Sequence, residues 1–346
     1  MNYYETALKF PINLDKNENN FGPAPICKEV MTNLKMEHFT EYARDNAKNI
    51  RHALSRRFGV KEESILTGYG AVDVLINSLN YLMQRGNTIL LPYESWWYFD
   101  KIISVRGGDI LYYYLKTQEG NYYYDVNSIL EIAIRHDPKF LLICSPNNPT
   151  GTSLPLADLE KILRTLPETI IILDEAYWGF SKDNPSYEAR FIERYPQLII
   201  VRTFSKLYAM AGIRIGFAFV GDNYKRLLEK NERYLGYNRI SEELAVAALE
   251  SFDYYSHIAN LFIEERDKFY SFFSKYPELT TCYKSESNFI LVKLQPDFFK
   301  RLQPHLIKKQ VIIKFFTEEK FKDQVRITIG TPPQNEYLRQ SIQEVI

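Results

Sequence analysis

Residues 203–217, TFSKLYAMAGIRIGF, place one lysine, Lys206, beside the hydroxyls of Thr203 and Ser205. Arg214 follows eight residues later, between Gly212 and Gly216. An amine next to two hydroxyls, with a spaced guanidinium, suits a ligand that carries both an aldehyde and a phosphate. The lysine can form a Schiff base, and the hydroxyls and the arginine can hold the phosphate. A glycine-rich turn with ordinary surface Lys and Arg would read the same. Matching groups upstream, in a workable order, would separate the two.

The stretch lies between two strand candidates, LIIVR (198–202) and IGFAFV (215–220). Upstream from Ser64, short apolar runs alternate with amphipathic segments. SILTG, NTILL, DILYYYL, KFLLIC and TIIIL read as strands; residues 71–83, 95–105, 126–135 and 156–164 read as helices. This alternation predicts an α/β fold, a mainly parallel sheet covered on both faces, with sites in the loops at the carboxyl ends of its strands. After Gly221 the texture changes to long helices up to about Tyr276. The strands FILVKL, VIIKFF and VRITIG follow, then a last helix near 334–345. That predicts a smaller α+β unit. Residues 26–36 and 45–58 have helical spacing, with Ile50, Leu54 and Phe58 on one face. Before them, DKNENNFGPAP reads as an extended arm that its prolines keep out of helix. The expected organisation is an arm at 1–25, a large domain at 26–235 and a small domain at 236–346.

Four loops carry polar or aromatic groups at strand ends. GYGAVD (68–73) offers the amides of Gly70, Ala71 and Val72 at a helix start, where an anion is favoured. PYESWWYF (92–99) offers an aromatic face, or core packing. SPNNPTG (145–151) fixes an irregular loop around Asn148. DEAYWGF (174–180) puts Asp174 at a strand end, as a helix cap or a functional acid, with Tyr177 three residues on.

In this order and at these spacings, the motifs resemble the fold-type I aminotransferases that use pyridoxal 5'-phosphate, and within class II the histidinol-phosphate aminotransferase-like branch. The resemblance runs from NENNFGP to VRITIGTP. It implies that Lys206 holds the cofactor covalently and then shuttles a proton. Asp174 pairs with the pyridine nitrogen, and Tyr177 and Asn148 face the ring oxygen. Trp97 stacks on the ring. Thr203, Ser205, Arg214 and the amides of Gly70, Ala71 and Val72 hold the phosphate. Tyr42 matches a tyrosine that reaches the neighbouring subunit's phosphate, which implies a homodimer. Arg326 matches the arginine that grips the substrate α-carboxylate.

The chain departs from the family pattern at the substrate end. Ala71 and Val72 replace a Ser and an Asp. Lys314 stands for a second substrate arginine and lacks its fork. Phe21 replaces a common tyrosine, and Arg239 in GYNRIS is an added cation. The implied reaction moves an amino group from an L-amino acid, glutamate, to a small anionic ketone or aldehyde in ping-pong fashion. An amino acid phosphate decarboxylase on the same scaffold is the alternative. A ligand-binding regulator would carry a DNA-binding extension, and none is evident.

The bulk numbers agree with a globular enzyme. Of 346 residues, 45 % are hydrophobic and 25 % charged, with 43 Lys and Arg against 43 Asp and Glu. That balance argues against a chain built to coat nucleic acid or an anionic membrane. Cys27, Cys144 and Cys282 form no C-x-x-C pair, so neither a metal site nor a disulfide framework is expected. The first residues lack a basic, then apolar, leader, and no apolar run has membrane-spanning length. A cytoplasmic location is expected.

Overall fold

A computed structural model describes residues 11–43, 47–231 and 236–346. Its strands are β1 (Ile12–Leu14), β2 (Ile65–Gly68), β3 (Thr88–Pro92), β4 (Asp109–Tyr113), β5 (Lys116–Gln118), β6 (Asn121–Tyr123), β7 (Phe140–Cys144), β8 (Ile170–Asp174), β9 (Leu198–Thr203), β10 (Gly216–Val220), β11 (Thr280–Cys282), β12 (Phe289–Leu294), β13 (Val311–Phe315) and β14 (Gln324–Thr328).

The larger sheet has the order β2-β10-β9-β8-β7-β3-β4. Only β10 runs against the rest of that sheet. The uninterrupted apolar runs of β7, β8 and β9 follow from burial on both faces. Their residues alternate between two cores, as the two-residue period of a strand requires. Leu141, Ile143, Ile171, Leu173 and Ile200 pack with Ile129 of helix Val126–His136 and Ile162 of helix Leu156–Thr165. Phe140, Leu142, Ile170, Ile172 and Val201 pack with Leu75 of helix Ala71–Leu82 and Ile102 of helix Tyr98–Val105. A β5–β6 hairpin, absent from the sequence expectation, packs through Tyr122 against Tyr283.

The smaller sheet has the order β1-β13-β14-β12-β11. Here the extended arm finds the element it packs on. Ile12 and Leu14 are fully buried, and β1 pairs in parallel with β13. The arm is therefore a strand of the C-terminal sheet; residues 1–10 of it lie outside the described residues. The expected domain boundary near 235 is bridged as well. Helix Arg239–Glu250 lies against helices Pro25–Thr32 and Lys48–Phe58, and the Glu242 carboxylate accepts a hydrogen bond from the Ile50 amide at 3.1 Å. Among the described residues, no helix is long and apolar enough to cross a membrane.

Candidate active site

The carboxyl ends of β2, β7, β8 and β9 converge on one cavity of about 370 Å³. The reversed direction of β10 completes it. Its first residue, Gly216, pairs with both Gly68 at the end of β2 and Thr203 at the end of β9. Arg214, two residues earlier, is thereby held over both strand ends. Two glycines permit this crowding. A Cβ on Gly216 would lie 2.3 Å from the Gly70 carbonyl carbon and 2.4 Å from the Ala71 nitrogen. Gly70 has φ +88°, and a Cβ there would lie 2.4 Å from an Arg214 guanidinium nitrogen.

The result is an anion recess. The Arg214 Nη1 donates to Ser205 Oγ at 3.2 Å, and Thr203 Oγ1 donates to Ser205 Oγ at 2.9 Å. The first-turn amides of Ala71 and Val72 have no intrahelical acceptors, and both residues line the cavity. The amide of Gly70 donates instead to Gly68 O at 2.9 Å. Gly70 thus contributes its missing side chain rather than a donor.

Lys206 reaches across the cavity, where its Nζ donates to the Lys16 carbonyl at 2.9 Å. Burial brings its amine down to about 7; the Arg326 and Arg214 cations push the same way and Glu18 opposes them. Asp174 receives one backbone hydrogen bond, from Ala176 N at 2.9 Å, and burial raises its carboxyl to about 6. Tyr177 accepts a hydrogen bond from Asn17 Nδ2 at 2.9 Å, and burial moves its hydroxyl up to about 12. The Arg326 Nη1 donates to Asn148 Oδ1 at 2.6 Å and Nη2 to the Asp15 carbonyl at 2.5 Å, while its buried Nε has no partner among the described residues.

Behind the cavity, fully buried Arg202 on β9 binds Glu175 at 2.7 Å and Glu188 at 2.6 Å and lies 4.1 Å over the Trp178 ring. Thr203 and Asp174 adjoin this cluster in the chain, so it fixes the two strand ends that face the site.

The structure therefore gathers Ala71, Val72, Asn148, Asp174, Tyr177, Thr203, Ser205, Lys206, Arg214 and Arg326 around one cavity. Five expected residues stand elsewhere. Trp97 is 55 % exposed; Trp96 lines the cavity with Phe99. The helix begins only at Tyr98, and the turn before it sends two consecutive indoles in different directions. Phe21 is buried against Phe262, with ring centroids 5.1 Å apart, and anchors the arm. Lys314 is the cross-strand partner of Arg326, but its ammonium lies 5.4 Å from the Phe316 ring and does not line the cavity. Arg239 faces the Glu41 carboxylate at 3.8 Å and the Glu37 carbonyl. Tyr42 is exposed on this chain, outside its cavity. The sequence reading missed Asp15, Lys16, Asn17 and Glu18, which close the cavity from the arm. Their signal was the polar run DKNE, which has no period of its own.

The family pattern of aminotransferase class I and II matches residues 10–342. The chain belongs to that family. Aminotransferases of this family act on small molecules with pyridoxal 5'-phosphate as cofactor, and this one is a pyridoxal 5'-phosphate-dependent enzyme. A histidinol-phosphate aminotransferase from Ruminiclostridium cellulolyticum is 28% identical over 339 residues, which cover 97% of this chain and 93% of the relative. The fold matches the crystal structure of histidinol-phosphate aminotransferase from Sinorhizobium meliloti in complex with pyridoxal-5'-phosphate. There the TM-score is 0.87 and the identity 22%, over 97% of this aminotransferase and 91% of that chain. A decarboxylase from Sulfurospirillum multivorans has the same fold, with TM-score 0.83 and 20% identity over 98% and 88% of the two chains.

The aminotransferase's own residues fit the cofactor. Asp174 is a buried carboxylate with no cationic partner among its described hydrogen bonds and ion pairs, which suits a protonated ring nitrogen. The recess of Arg214, Ser205, Thr203 and two helix amides suits a phosphate. An amine brought near neutrality stands beside them.

Proposed function

We propose that this aminotransferase takes the amino group of an L-amino acid, glutamate, and passes it to a small anionic ketone or aldehyde, of the kind whose amination gives histidinol phosphate. The observation that carries the reading is Arg326. Its guanidinium opens onto the cavity with a buried nitrogen unpaired, and its Nη2 rests on a main-chain carbonyl that a substrate carboxylate can replace. A planar fork in a dry site favours a carboxylate bidentately.

Pyridoxal phosphate, when bound, supplies an aldehyde and a ring that draws electrons from the substrate's Cα. The chain supplies the rest. Lys206, whose amine burial brings down to about 7, would be the nucleophile for the aldehyde and afterwards the base that removes the Cα proton and returns it. Asp174 would keep the ring nitrogen protonated. Asn148 and Tyr177 would hold the ring oxygen, and Trp96, rather than Trp97, would stand beside the ring. Thr203, Ser205, Arg214 and the amides of Ala71 and Val72 would hold the phosphate.

A homodimer fits the surface. Met36, Phe39 and Tyr42 present large apolar groups to solvent in one short segment, with exposures of 71%, 64% and 67%. A second copy would cover them and bring Tyr42 to the partner's phosphate recess.

The test is a half-reaction. The cofactor-loaded protein is mixed with glutamate and, separately, with histidinol phosphate, and the visible absorption of the lysine-bound cofactor is followed. Loss of the band with both supports the proposal. Loss with glutamate alone keeps the donor and replaces the acceptor. Loss with neither, accompanied by carbon dioxide release from an amino acid phosphate, gives the decarboxylase.

A further inference from the structure

Asn17 engages its main chain and both ends of its side chain. It sits in the left-handed region at φ 55°, which Asn tolerates better than most residues, and is 1% exposed. Its N–H donates to Thr328 Oγ1 at 3.0 Å, and its carbonyl accepts from Asn288 Nδ2 at 3.0 Å. The Thr328 hydroxyl donates its single proton to Asn17 Oδ1 at 3.2 Å. That fixes the amide's orientation. Oδ1 faces β14, and Nδ2 donates to Tyr177 Oη at 2.9 Å.

The consequence falls on Tyr177. Its oxygen accepts from Asn17, so its own proton points elsewhere. Among the described residues no hydrogen bond takes that proton, and Tyr177 lines the cavity. Thr328 is two residues from Arg326 on β14, so the two share a face of that strand. We propose that Asn17 is a positioning residue that fixes Tyr177 as a hydrogen-bond donor to the cofactor's ring oxygen and ties this donor to the strand carrying Arg326. The inference rests on Lys206 carrying the cofactor with Tyr177 beside its ring.

The test reads the resting, cofactor-loaded protein. The lysine-bound cofactor's visible band is titrated with pH in four backgrounds: native, Asn17→Asp, Tyr177→Phe and the double variant. Asp tolerates the left-handed backbone but only accepts when ionised, so Tyr177 must turn its proton towards it. A donor at the ring oxygen draws electron density from the chromophore and lets it lose its proton at lower pH. Losing the donor raises the midpoint. Tyr177→Phe should raise it by about one to two pH units, the size of a hydrogen bond to a charged group. Asn17→Asp should raise it by more in the native background than in the Tyr177→Phe background, where only its charge acts. The other charged or titratable groups facing this site are Asp15, Lys16, Glu18, Cys144, Asp174, Lys206, Arg214 and Arg326, and all stay constant across the cycle. Asn17→Gly, which keeps the backbone and adds no charge, should give a smaller rise that vanishes without Tyr177. Equal shifts in both backgrounds for both variants would overturn the proposal. So would an unmoved midpoint in Tyr177→Phe, or in Asn17→Asp and Asn17→Gly with native melting curves.

Discussion

Gly216→Ala should weaken cofactor binding before any substrate is considered. The added methyl would lie 2.3 Å from Gly70 C, 2.4 Å from Ala71 N and 2.8 Å from Gly70 O, all main-chain atoms. Ordinary contact begins near 3.4 Å, so the turn at 68–71 or the start of β10 must withdraw by roughly 1 Å. Neither moves alone, because Gly216 is paired with Gly68 on one side and Thr203 on the other. The movement opens the recess between the Ala71 amide and Arg214. Overpacking of this kind costs about 1–3 kcal/mol. Spent at the recess, that is about a five- to 150-fold rise in the cofactor's dissociation constant. The assay titrates cofactor-free protein with pyridoxal phosphate and follows quenching of the Trp96 region, with melting curves taken with and without cofactor. Native affinity together with a native gain in melting temperature would refute the account of the recess.

Other variants test other parts. The Lys206 amine, at about 7, is mostly protonated at pH 6 and mostly neutral at pH 8. Attachment of pyridoxal phosphate to the cofactor-free protein should therefore quicken through this window. Glu18→Gln should move the rise to lower pH, because Glu18 is the neighbour that holds the amine's pKa up; stopped-flow absorbance measures both. Lys206→Ala should show neither the visible band nor turnover. Asp174→Asn should keep the cofactor but slow exchange of the amino acid's α-deuteron, and an unaffected exchange rate would place the ring nitrogen's partner elsewhere. Arg202→Met leaves Glu175 and Glu188 buried without their cation and should cost about 3–5 kcal/mol in denaturant unfolding. Adding Glu175→Gln and Glu188→Gln should recover most of that loss.

The parts of the site that the sequence made legible are those bound to regular periods. Cys144, Asp174 and Thr203 end apolar runs that can only be central strands, so the loops after them were bound to face one edge of the sheet. The misplaced residues are those whose orientation is set by a single turn or by long-range pairing. Trp96 and Trp97 differ by one residue, and the turn before Tyr98 chooses between them. Lys314 shares a register position with Arg326, yet its ammonium is directed to Phe316. The arm residues 15–18 have no pattern of their own, since β1 takes its place from β13 and Asn17 from Thr328. Nothing local announces a partner so far along the chain.

That pairing also bears on how the protein is made. Ile12 lies beside Val311, about 300 residues later in the chain. At translation rates of about 5–20 residues per second, β1 waits roughly 15–60 s for its partner to be synthesised. During that wait the large sheet can form, but Lys16, Asn17 and Glu18 have no seat, and Lys206 lies uncapped. A chain that stops short of β13 carries Asp174, Lys206 and Arg214 around an unclosed pocket, so closure of the site reports that the chain has been read through β13.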